Sequence, residues 1–438
     1  MATGNYPPVV LEKTVWCSVL SDFPYCIKMA VSKRKFAGDH LDQYVCNANE
    51  VINFKFVTTA EDIADETKGF KAEYTHQFFG DSENIFGYVG LKINMIYSAC
   101  RLSTFFTMTY REKVKPSKTG GIEADDVYKI ICDKQELEPS RDLDAFIDSL
   151  NEELTFEPLG ELLNTFSIKN DGREETYGIY RADNSTPGFI EYHEKMQTLI
   201  LWFIDAASYI DETDERWDYF ILHQHIKNGS SDYYPFVGYA TVYRYYAYPL
   251  KIRPRISQML VLPPYQKSGL GSKLLENIFD WYIKNPEVLD ITVEDPSDEF
   301  IRIRDFIDCK RCELLPTYSK EYLQKGFNSD MAEEAKDKFK INKKQARRVY
   351  EILRLKNTNL NDKEEYRAYR LDVKNRLNIP FQREQLDLEK LQKNLTHDEL
   401  KAAANPIPRE QRMEQLDHMY VELEEKYKHI IERLLEQK

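Results

Sequence analysis

The sequence predicts an α/β protein made of a mixed N-terminal α/β domain, a central α/β domain and a helical C-terminal region. Three observations support this prediction. Short runs that alternate apolar and polar residues, separated by turn signals, fill residues 46–144 and are typical of a small mixed domain. A strand, a glycine turn, a helix and a second strand follow one another within residues 256–293, which indicates one βαβ unit. From about residue 318 onward, helix-forming and charged residues dominate.

These changes of pattern divide the chain into four segments. Residues 1–38 are predicted to be a flexible leader, 39–150 the N-terminal domain, 151–317 the central domain and 318–438 the helical region. A chain of 438 residues is long enough for two or three domains.

Composition narrows the functional classes. A net charge of −13 disfavours a dedicated nucleic-acid-binding protein, which needs clustered Lys and Arg, and suits a basic partner instead. The sequence contains no run of 18 apolar residues, and residues 1–20 lack a basic patch followed by an apolar core, so we expect neither a membrane span nor a secretory signal. The seven cysteines are typical of a reducing compartment. The single CxxC pair, Cys309 and Cys312, predicts two thiols on a helix face rather than a metal site.

The glycine turn predicts an anion-binding site. Residues 266–271 follow the pattern Q-x-x-G-x-G, and Gly269 and Gly271 have no Cβ to keep a phosphate away from the backbone. A helix predicted over 272–284 follows and would direct its positive end to the same anion. The turn lacks the G-K-[ST] of a Walker loop and the third small residue of a Rossmann fingerprint. An ordinary strand-to-helix turn remains the alternative.

Two adjacent carboxylates, Glu294 and Asp295, follow the second strand of the βαβ unit, predicted over 288–293. Ligands of open α/β sheets bind beyond the carboxyl ends of the strands, so we expect both beside the glycine turn. A lysine substrate, with a pKa of about 10.4, needs a base to remove its proton before it attacks an acyl group. Burial and Asp295 would raise the proton affinity of Glu294. Alternatively, or in addition, Asp295 caps the next helix with Pro296 in its first turn.

Further candidates lie on other predicted elements. A helix buried on nearly all sides runs from about Ile190 through Asp205 to Tyr209, so Asp205 is expected to be paired or functional. Two strands are predicted around an Asn-Gly turn, and Tyr243 and Tyr245 lie on one face of the second strand. Core packing is the favoured role of these aromatic side chains, and a peptide-binding groove is the alternative. The acidic turn at residues 80–83 is either a solvated loop tip or a contact for a lysine-rich peptide. The N–H group of Leu260 or Val261 would stabilise a developing oxyanion if the strand is splayed there.

These motifs resemble a known family. The Q-x-x-G-x-G turn is similar to the acetyl-coenzyme A signature of the GNAT superfamily of N-acetyltransferases. Several segments resemble the type B histone acetyltransferase family: residues 73–81, 258–262, 288–297, 339–343 and 346–355. The resemblance extends from about residue 40 to the end of the sequence and implies a GNAT fold for the central domain.

The resemblance also implies an activity. Family members would transfer acetyl from acetyl-coenzyme A (acetyl-CoA) directly to lysines in the N-terminal tail of newly synthesised histone four, which accompanies histone three. A WD-repeat histone-binding subunit is the implied protein partner, and the nucleus and cytoplasm are the implied locations. No direct nucleic-acid contact and no membrane are expected.

The resemblance assigns roles by position. It implies that Glu294 and Asp295 are catalytic, and that Asp205 stands where a third catalytic carboxylate is expected as Glu. The implied substrate-binding residues are Asp81, Ser82, Glu83, Tyr243, Arg244 and Tyr245. The implied cofactor-binding residues are Met259, Leu260, Val261, Gln266, Lys267, Ser268, Gly269, Leu270, Gly271, Ser272 and Ser297.

Two other functions stay open at this point. One is a non-catalytic histone-binding or chaperone subunit with a vestigial cofactor fold, against which the intact Gln266, Gly269, Gly271 and Glu294 argue. The other is acetylation of small amines on the same fold.

Overall fold

The computed structural model describes residues 41–118, 121–170, 172–228, 231–392 and 408–436. The predicted leader at residues 1–38 lies outside this described part of the chain. Across the described ranges, no helix combines the length and the apolar character that a membrane span requires.

The N-terminal part is a mixed α/β unit, as predicted. Its main sheet has the strand order β3-β2-β6-β7, with β2 and β6 parallel and the other neighbours antiparallel. The strands are β1 (Val45–Asn47), β2 (Ile52–Val57), β3 (Phe70–Lys71), β4 (Asn84–Phe86), β5 (Tyr88–Val89), β6 (Lys92–Ser98), β7 (Thr104–Thr109) and β8 (Glu112–Lys113). The helices are α1 (Ala48–Val51), α2 (Ala60–Ala64), α3 (His76–Phe79), α4 (Val127–Gln135) and α5 (Leu143–Leu150).

The central part is built on a seven-stranded sheet of order β15-β14-β13-β11-β10-β9, with β12 paired to β11. Only β14 and β15 run parallel, as expected of the predicted βαβ unit. Its strands are β9 (Glu161–Asn170), β10 (Arg173–Ala182), β11 (Trp217–Asn228), β12 (Ser231–Tyr233), β13 (Phe236–Ala247), β14 (Lys251–Val261) and β15 (Thr292–Val293). Its helices are α6 (Phe189–Phe203), α7 (Leu270–Ile283) and α8 (Asp298–Cys312).

The two strands of the βαβ unit differ from the predicted lengths. β14 begins at Lys251, five residues before the predicted start at Ile256, whereas β15 has only two of the six predicted residues. Val288 forms an isolated bridge to Ile252, and Ile291 bridges instead to Ile341 in the helical region. The segment therefore changes partners along its length and pairs regularly with β14 only at its end.

Helix α6 lies between the two sheets and belongs to a hydrophobic cluster that includes side chains from both. Trp202 stacks on Phe78 with ring centroids 3.6 Å apart and meets Phe54 edge-on at 5.3 Å. The prediction that this helix reaches Tyr209 with Asp205 near a buried end is wrong. The Trp202 carbonyl accepts hydrogen bonds from the backbone N–H groups of Glu73 and Tyr74, both at 3.0 Å, so the helix ends at Phe203 and Asp205 is exposed.

The helical region packs against α8 and extends the central core. Its helices are α9 (Lys320–Gln324), α10 (Ser329–Phe339), α11 (Lys343–Asn357), α12 (Lys363–Leu377), α13 (Ile379–Gln392) and α14 (Arg409–Glu436). Tyr420 and Tyr427 of α14 are buried at the predicted spacing, so this face of the last helix covers the protein's own core. The fully buried Glu351 of α11 accepts hydrogen bonds from Arg376 at 2.6 Å and from Tyr427 at 2.9 Å, which ties α11, α12 and α14 together.

We expect an acid-sensitive contribution to stability from His223 on β11, which is 1% exposed. Burial lowers the pKa of His223 to about 4, below its value of about 6.5 in an unfolded chain. The free energy that this difference supplies is therefore complete above about pH 6.5 and is lost as pH falls toward 4. Replacing His223 by Gln should remove roughly 2 kcal/mol of the pH dependence between pH 7.0 and 4.5, measured by urea unfolding.

Other titrations cancel in the comparison of wild type with His223→Gln. Asp308, whose pKa burial raises to about 6, contributes in the opposite direction but is present in both proteins. Parallel stability curves for the two proteins over this pH range would contradict the assignment to His223.

Candidate active site

A groove opens where β14 and β15 separate. The two strands pair only at Arg255–Thr292 and Ile256–Val293, after which the Glu294 N–H donates to the Ile256 carbonyl at 2.9 Å. Residues 258–261 of β14 remain paired to β13 on the opposite side. Apart from the Val261 carbonyl, which accepts a hydrogen bond from Gln266, the other edge of this part of β14 therefore keeps its backbone groups available for a ligand.

A β-bulge in β14 places Ser257 opposite Glu294, the predicted catalytic residue that follows β15. Gln258 pairs with Thr241 and Ile256 with Val242, so Ser257 is the extra residue on β14. Its hydroxyl donates to the Glu294 carboxylate at 2.8 Å. A bulge bends the strand that carries it, and this one follows Ile256, where the pairing of β14 with β15 stops. The bulged serine also holds Glu294 at the mouth of the groove.

The register decides which backbone donor faces the groove. The Leu262 N–H donates to the Val237 carbonyl at 2.9 Å, on the side of β13. Backbone groups alternate in direction along a strand, so the Leu260 N–H also faces β13 and those of Met259 and Val261 face the free edge. Of the two donors considered from the sequence, Val261 is the one that the register favours.

The glycine turn leads into an uncapped helix at one end of the groove. Gly269 has φ +87° and occupies the N-cap of α7, where no side chain accepts a hydrogen bond from the first turn. The first backbone N–H of the helix that forms an intrahelical hydrogen bond is that of Lys273, which donates to the Gly269 carbonyl at 3.2 Å. The N–H groups of the first turn are thus left for another acceptor, which suits a phosphate.

The side chains of the turn hold its shape. Gln266 donates from Nε2 to the Val261 carbonyl at 2.9 Å, and the Ser268 hydroxyl donates to the Tyr265 carbonyl at 2.6 Å. Gly271 lies inside α7, where an added Cβ would approach the Ile303 side chain to 3.4 Å. The helix begins at Leu270, two residues earlier than predicted, so Gly271 and Ser272 are part of its first turn.

Two predictions about the acidic pair are wrong. Glu294 is exposed rather than buried, because β15 ends just before it at Val293. Asp295 does not cap α8: Ser297 is the N-cap, and its hydroxyl oxygen accepts from the Phe300 N–H at 3.2 Å. Asp295 instead turns the chain with φ +29°, a conformation that Asp tolerates better than most residues.

The N-terminal domain supplies a second side of the site. His76 and Asp205 approach to 3.4 Å between Nε2 and Oδ1, and the Ser208 carbonyl accepts from Gln258 of β14 at 2.8 Å. Partial desolvation raises the pKa of Glu73, a hydrogen bond from Gln266 opposes that shift, and the Glu299 carboxylate adds to it. Glu73 therefore lies beside the glycine turn although part of it is exposed.

Sequence reasoning assigned no role to Glu73, Tyr74 or His76. Tyr74 lies close enough to Glu73 and Asp205 for both carboxylates to raise its pKa, after burial, which has the largest effect. The backbone N–H groups of residues 73 and 74 donate to the Trp202 carbonyl, and these hydrogen bonds hold the segment beside the groove. No local pattern signals a contact between segments so far apart in the sequence.

The aromatic strand face is partly exposed. Tyr243 donates to Asp214 at 2.8 Å, and its ring meets that of Tyr245 at 4.6 Å between centroids. Tyr245 is 41% exposed and stacks under the Arg255 guanidinium at 4.9 Å. Arg244 projects away from this face toward the buried Asp218, at 3.3 Å. The two tyrosines are accessible to a peptide, whereas the Arg244 side chain already has a partner.

The acidic turn at Asp81, Ser82 and Glu83 is fixed at one residue. Glu83 accepts hydrogen bonds from the Thr75 N–H at 3.0 Å and from Asn49 at 2.7 Å, which hold the pKa of its carboxyl below the usual range. Asp81 and Ser82 are exposed beside it. The substrate-binding role of all three residues stays a prediction.

The thiols of Cys309 and Cys312 are buried on α8, which confirms the predicted helix. In the described ranges, His, Cys, Asp and Glu side chains do not assemble in groups of three or more that could hold a metal ion.

Family models cover most of the chain. The model of the N-terminus of the histone acetyl transferase HAT1 matches residues 44–205, and that of the acetyltransferase (GNAT) family matches residues 174–302. The model of the C-terminal part of the histone acetyltransferase type B catalytic subunit matches residues 304–355.

Curated relatives match over nearly the whole length. The Homo sapiens histone acetyltransferase type B catalytic subunit is 46% identical over 414 residues, which cover 94% of this chain and 97% of the human protein. This chain belongs to the type B histone acetyltransferase family. The Mus musculus protein of the same name is 44% identical over 96% of this chain and 100% of its own length. The Cryptococcus neoformans protein is 30% identical over 77% of this chain and 89% of its own.

Membership of the type B family confirms the resemblance and the enzyme class. The chain is an acetyltransferase with a GNAT domain, and the groove between β14 and β15 lies within the residues that the GNAT model matches. The assignment of individual site residues stays a prediction, supported by their arrangement around this groove.

The two glycines of the turn should respond differently to alanine. Gly269→Ala should lower the free energy of unfolding by about 1–2 kcal/mol, because φ +87° strains any residue with a Cβ even though that Cβ would meet open space. Gly271→Ala serves as the matched control, since alanine favours a helix by up to about 1 kcal/mol and the Ile303 contact at 3.4 Å is tolerable. Urea unfolding of both variants tests this, and equal losses would contradict it.

Proposed function

We propose that this chain transfers acetyl from acetyl-CoA directly to lysines in the N-terminal tail of newly synthesised histone four. The observation that supports this most strongly is that the uncapped glycine turn and Glu294 lie along the same open edge of β14. One provides donors for a phosphate, and the other provides a proton acceptor. Family membership makes acetyl transfer the reaction to which such a groove is suited.

The residues of the groove fit acetyl-CoA. The first-turn N–H groups of α7 suit its phosphates, and the free edge at Met259 and Val261 suits the amide groups of its pantetheine arm. When bound, acetyl-CoA supplies the thioester whose acyl group is transferred. The Val261 N–H would donate to the acyl oxygen as negative charge develops there.

Glu294 is the proposed general base. A lysine ammonium must lose a proton before its nitrogen attacks the acyl carbon, and the Glu294 carboxylate accepts that proton directly or through a water molecule. Ser257 fixes the carboxylate by its hydrogen bond at 2.8 Å, and Asp295 places a second negative charge next to it. As the new C–N bond forms, the C–S bond would break, and the departing thiolate would take up the second proton that the amine nitrogen must lose.

Charge favours a lysine-rich substrate. Glu73, Asp205, Asp295 and Glu299 are exposed carboxylates of the site, and together they attract a cationic tail. The exposed Tyr245 and the acidic turn at residues 81–83 are proposed contacts for the rest of that tail. Asp205 is one methylene shorter than the expected Glu, and the contact with His76 orients it.

The proposal extends to the setting of the reaction. Histone four would be presented with its histone three partner, a WD-repeat histone-binding subunit would accompany the chain, and the nucleus and cytoplasm would be its locations. The alternative is a non-catalytic histone-binding or chaperone subunit in which the cofactor fold is vestigial. Saturable acetyl-CoA binding together with turnover separates the two.

Mass spectrometry of a histone three–histone four pair incubated with the protein and isotopically labelled acetyl-CoA tests the proposal. We expect label on lysines of the histone four tail. Saturable cofactor binding without label would favour the non-catalytic alternative, and faster labelling of free polyamines than of the histone would redirect the proposal to small amines.

Replacing Glu294 by Gln should lower kcat by roughly 100-fold to 10,000-fold, because the amide cannot accept the proton. The affinity for acetyl-CoA should change little, since the carboxylate lies at the mouth of the groove rather than at the glycine turn. Ser257→Ala is the matched control: it keeps the carboxylate but removes its hydrogen bond at 2.8 Å, so the loss should be much smaller. Steady-state kinetics with a histone four tail peptide measures both, and an unchanged kcat in Glu294→Gln would rule out this base.

Asp205 should affect the peptide more than the cofactor. Asp205→Asn removes an exposed charge, so we expect a loss of roughly fivefold in kcat/KM for the tail peptide, equivalent to ~1 kcal/mol. Asp205→Glu restores the charge and should keep most of the activity. If both variants lose activity equally, the charge at this position is not what the substrate requires.

A further inference from the structure

The last turn of α14 reaches back to the first turn of α7. The Arg433 guanidinium donates from Nη2 to the Ser272 hydroxyl oxygen at 3.0 Å and covers the Phe306 ring at 4.1 Å from its centroid. Ser272 is buried and is the third residue of α7, directly after the glycine turn. A side chain from the far end of the described sequence therefore touches the end of the groove that is suited to a phosphate.

Arg433 is a cation without a carboxylate partner at this position. Within the described parts of the chain, its contacts are the Ser272 hydroxyl and the Phe306 ring, and it forms no ion pair with a carboxylate. Burial lowers the pKa of Arg433, and the more distant Glu276 and Glu436 do not offset this. Burial also lowers the pKa of Arg347, Arg348 and Arg376, but their contacts with carboxylates more than offset it and raise the pKa overall.

A purely structural role accounts for only part of this arrangement. The stacking on Phe306 and the bond to Ser272 would fasten α14 to α7 and α8. An uncharged residue of similar length would pack there without the desolvation of a cation. The positive charge is useful if an anion joins it, and the uncapped first turn of α7 directs its N–H groups to the same place.

Ser272 connects the two groups of donors. Its oxygen accepts from Arg433, which leaves its own hydroxyl hydrogen free to donate. Guanidinium, hydroxyl and backbone N–H groups together form a set of donors typical of phosphate recognition.

We propose that Arg433 binds a phosphate of acetyl-CoA together with Ser272, so that the C-terminal helix forms part of the cofactor site. This inference rests on the proposed use of acetyl-CoA and adds to it a residue outside the GNAT-matched segment, which ends at residue 302. The helical region then contributes directly to cofactor affinity as well as covering the central core.

The test compares two acyl donors in the full-length protein. Acetyl-CoA carries phosphates, whereas S-acetylpantetheine carries the same thioester and arm without them. Arg433→Met removes the charge and keeps an apolar side chain over Phe306, and Arg433→Lys keeps the charge. Lys428→Met is the matched control, since it removes a cation of the same helix that pairs instead with Glu424 at 2.7 Å.

We expect Arg433→Met to weaken acetyl-CoA binding, measured by titration calorimetry, by about 10-fold to 100-fold, the range for a charge-assisted hydrogen bond. Its kcat/KM with S-acetylpantetheine should stay within about twofold of wild type. Arg433→Lys should recover part of the loss, and Lys428→Met should bind acetyl-CoA like wild type.

Three results would overturn the inference. Wild-type affinity for acetyl-CoA in Arg433→Met would leave the cofactor assignment intact and remove Arg433 from it. Equal losses with both acyl donors would show a structural role, and the thermal unfolding midpoint would then fall as well. Absence of saturable acetyl-CoA binding in the wild-type protein would overturn the proposed function itself, and this inference with it.

Discussion

The early end of the pairing between β14 and β15 is the constraint on which the rest of the site depends. Two paired positions hold the strands together, and the pairing stops where the bulge at Ser257 begins. The separation exposes one edge of β14, brings Glu294 to the mouth of the groove and leaves the glycine turn at one end. A longer β15 would satisfy more backbone hydrogen bonds and would close the groove. Backbone groups on the open edge of β14 lack strand partners, and they are therefore available for hydrogen bonds to a ligand.

The second constraint is the contact between α6 and the N-terminal domain. The Trp202 carbonyl ends the helix and at the same time holds residues 73 and 74 beside the glycine turn. The stacking of Trp202 on Phe78 buries this junction, so the N-terminal domain is anchored by apolar contact and not only by polar groups. One tryptophan therefore sets both the end of a helix and the position of the Glu73 carboxylate beside the glycine turn.

Local pattern was enough to predict the βαβ unit, the helix after the glycine turn and the amphipathic face of α14. It was not enough where distant segments compete for the same backbone group. The length of α6 depended on the Trp202 carbonyl, and the length of β15 depended on a bridge from Ile291 to the helical region. Asp295 resembled a cap, but Ser297 took that role because the chain turns at Asp295 with positive φ. The contact between Arg433 and Ser272 joins the two ends of a long segment and has no local signal.

The acidic site also has a consequence for the empty and loaded forms of the enzyme. Glu73 belongs to the N-terminal domain and Glu299 to the first turn of α8, and each carries negative charge toward the same space. Like charges on two packed bodies oppose their contact, and the lysine-rich substrate of the proposed function would supply the missing counter-charge. Under that proposal, substrate binding and cohesion of the two domains are thermodynamically linked, and the protein would be held together more firmly when it is occupied.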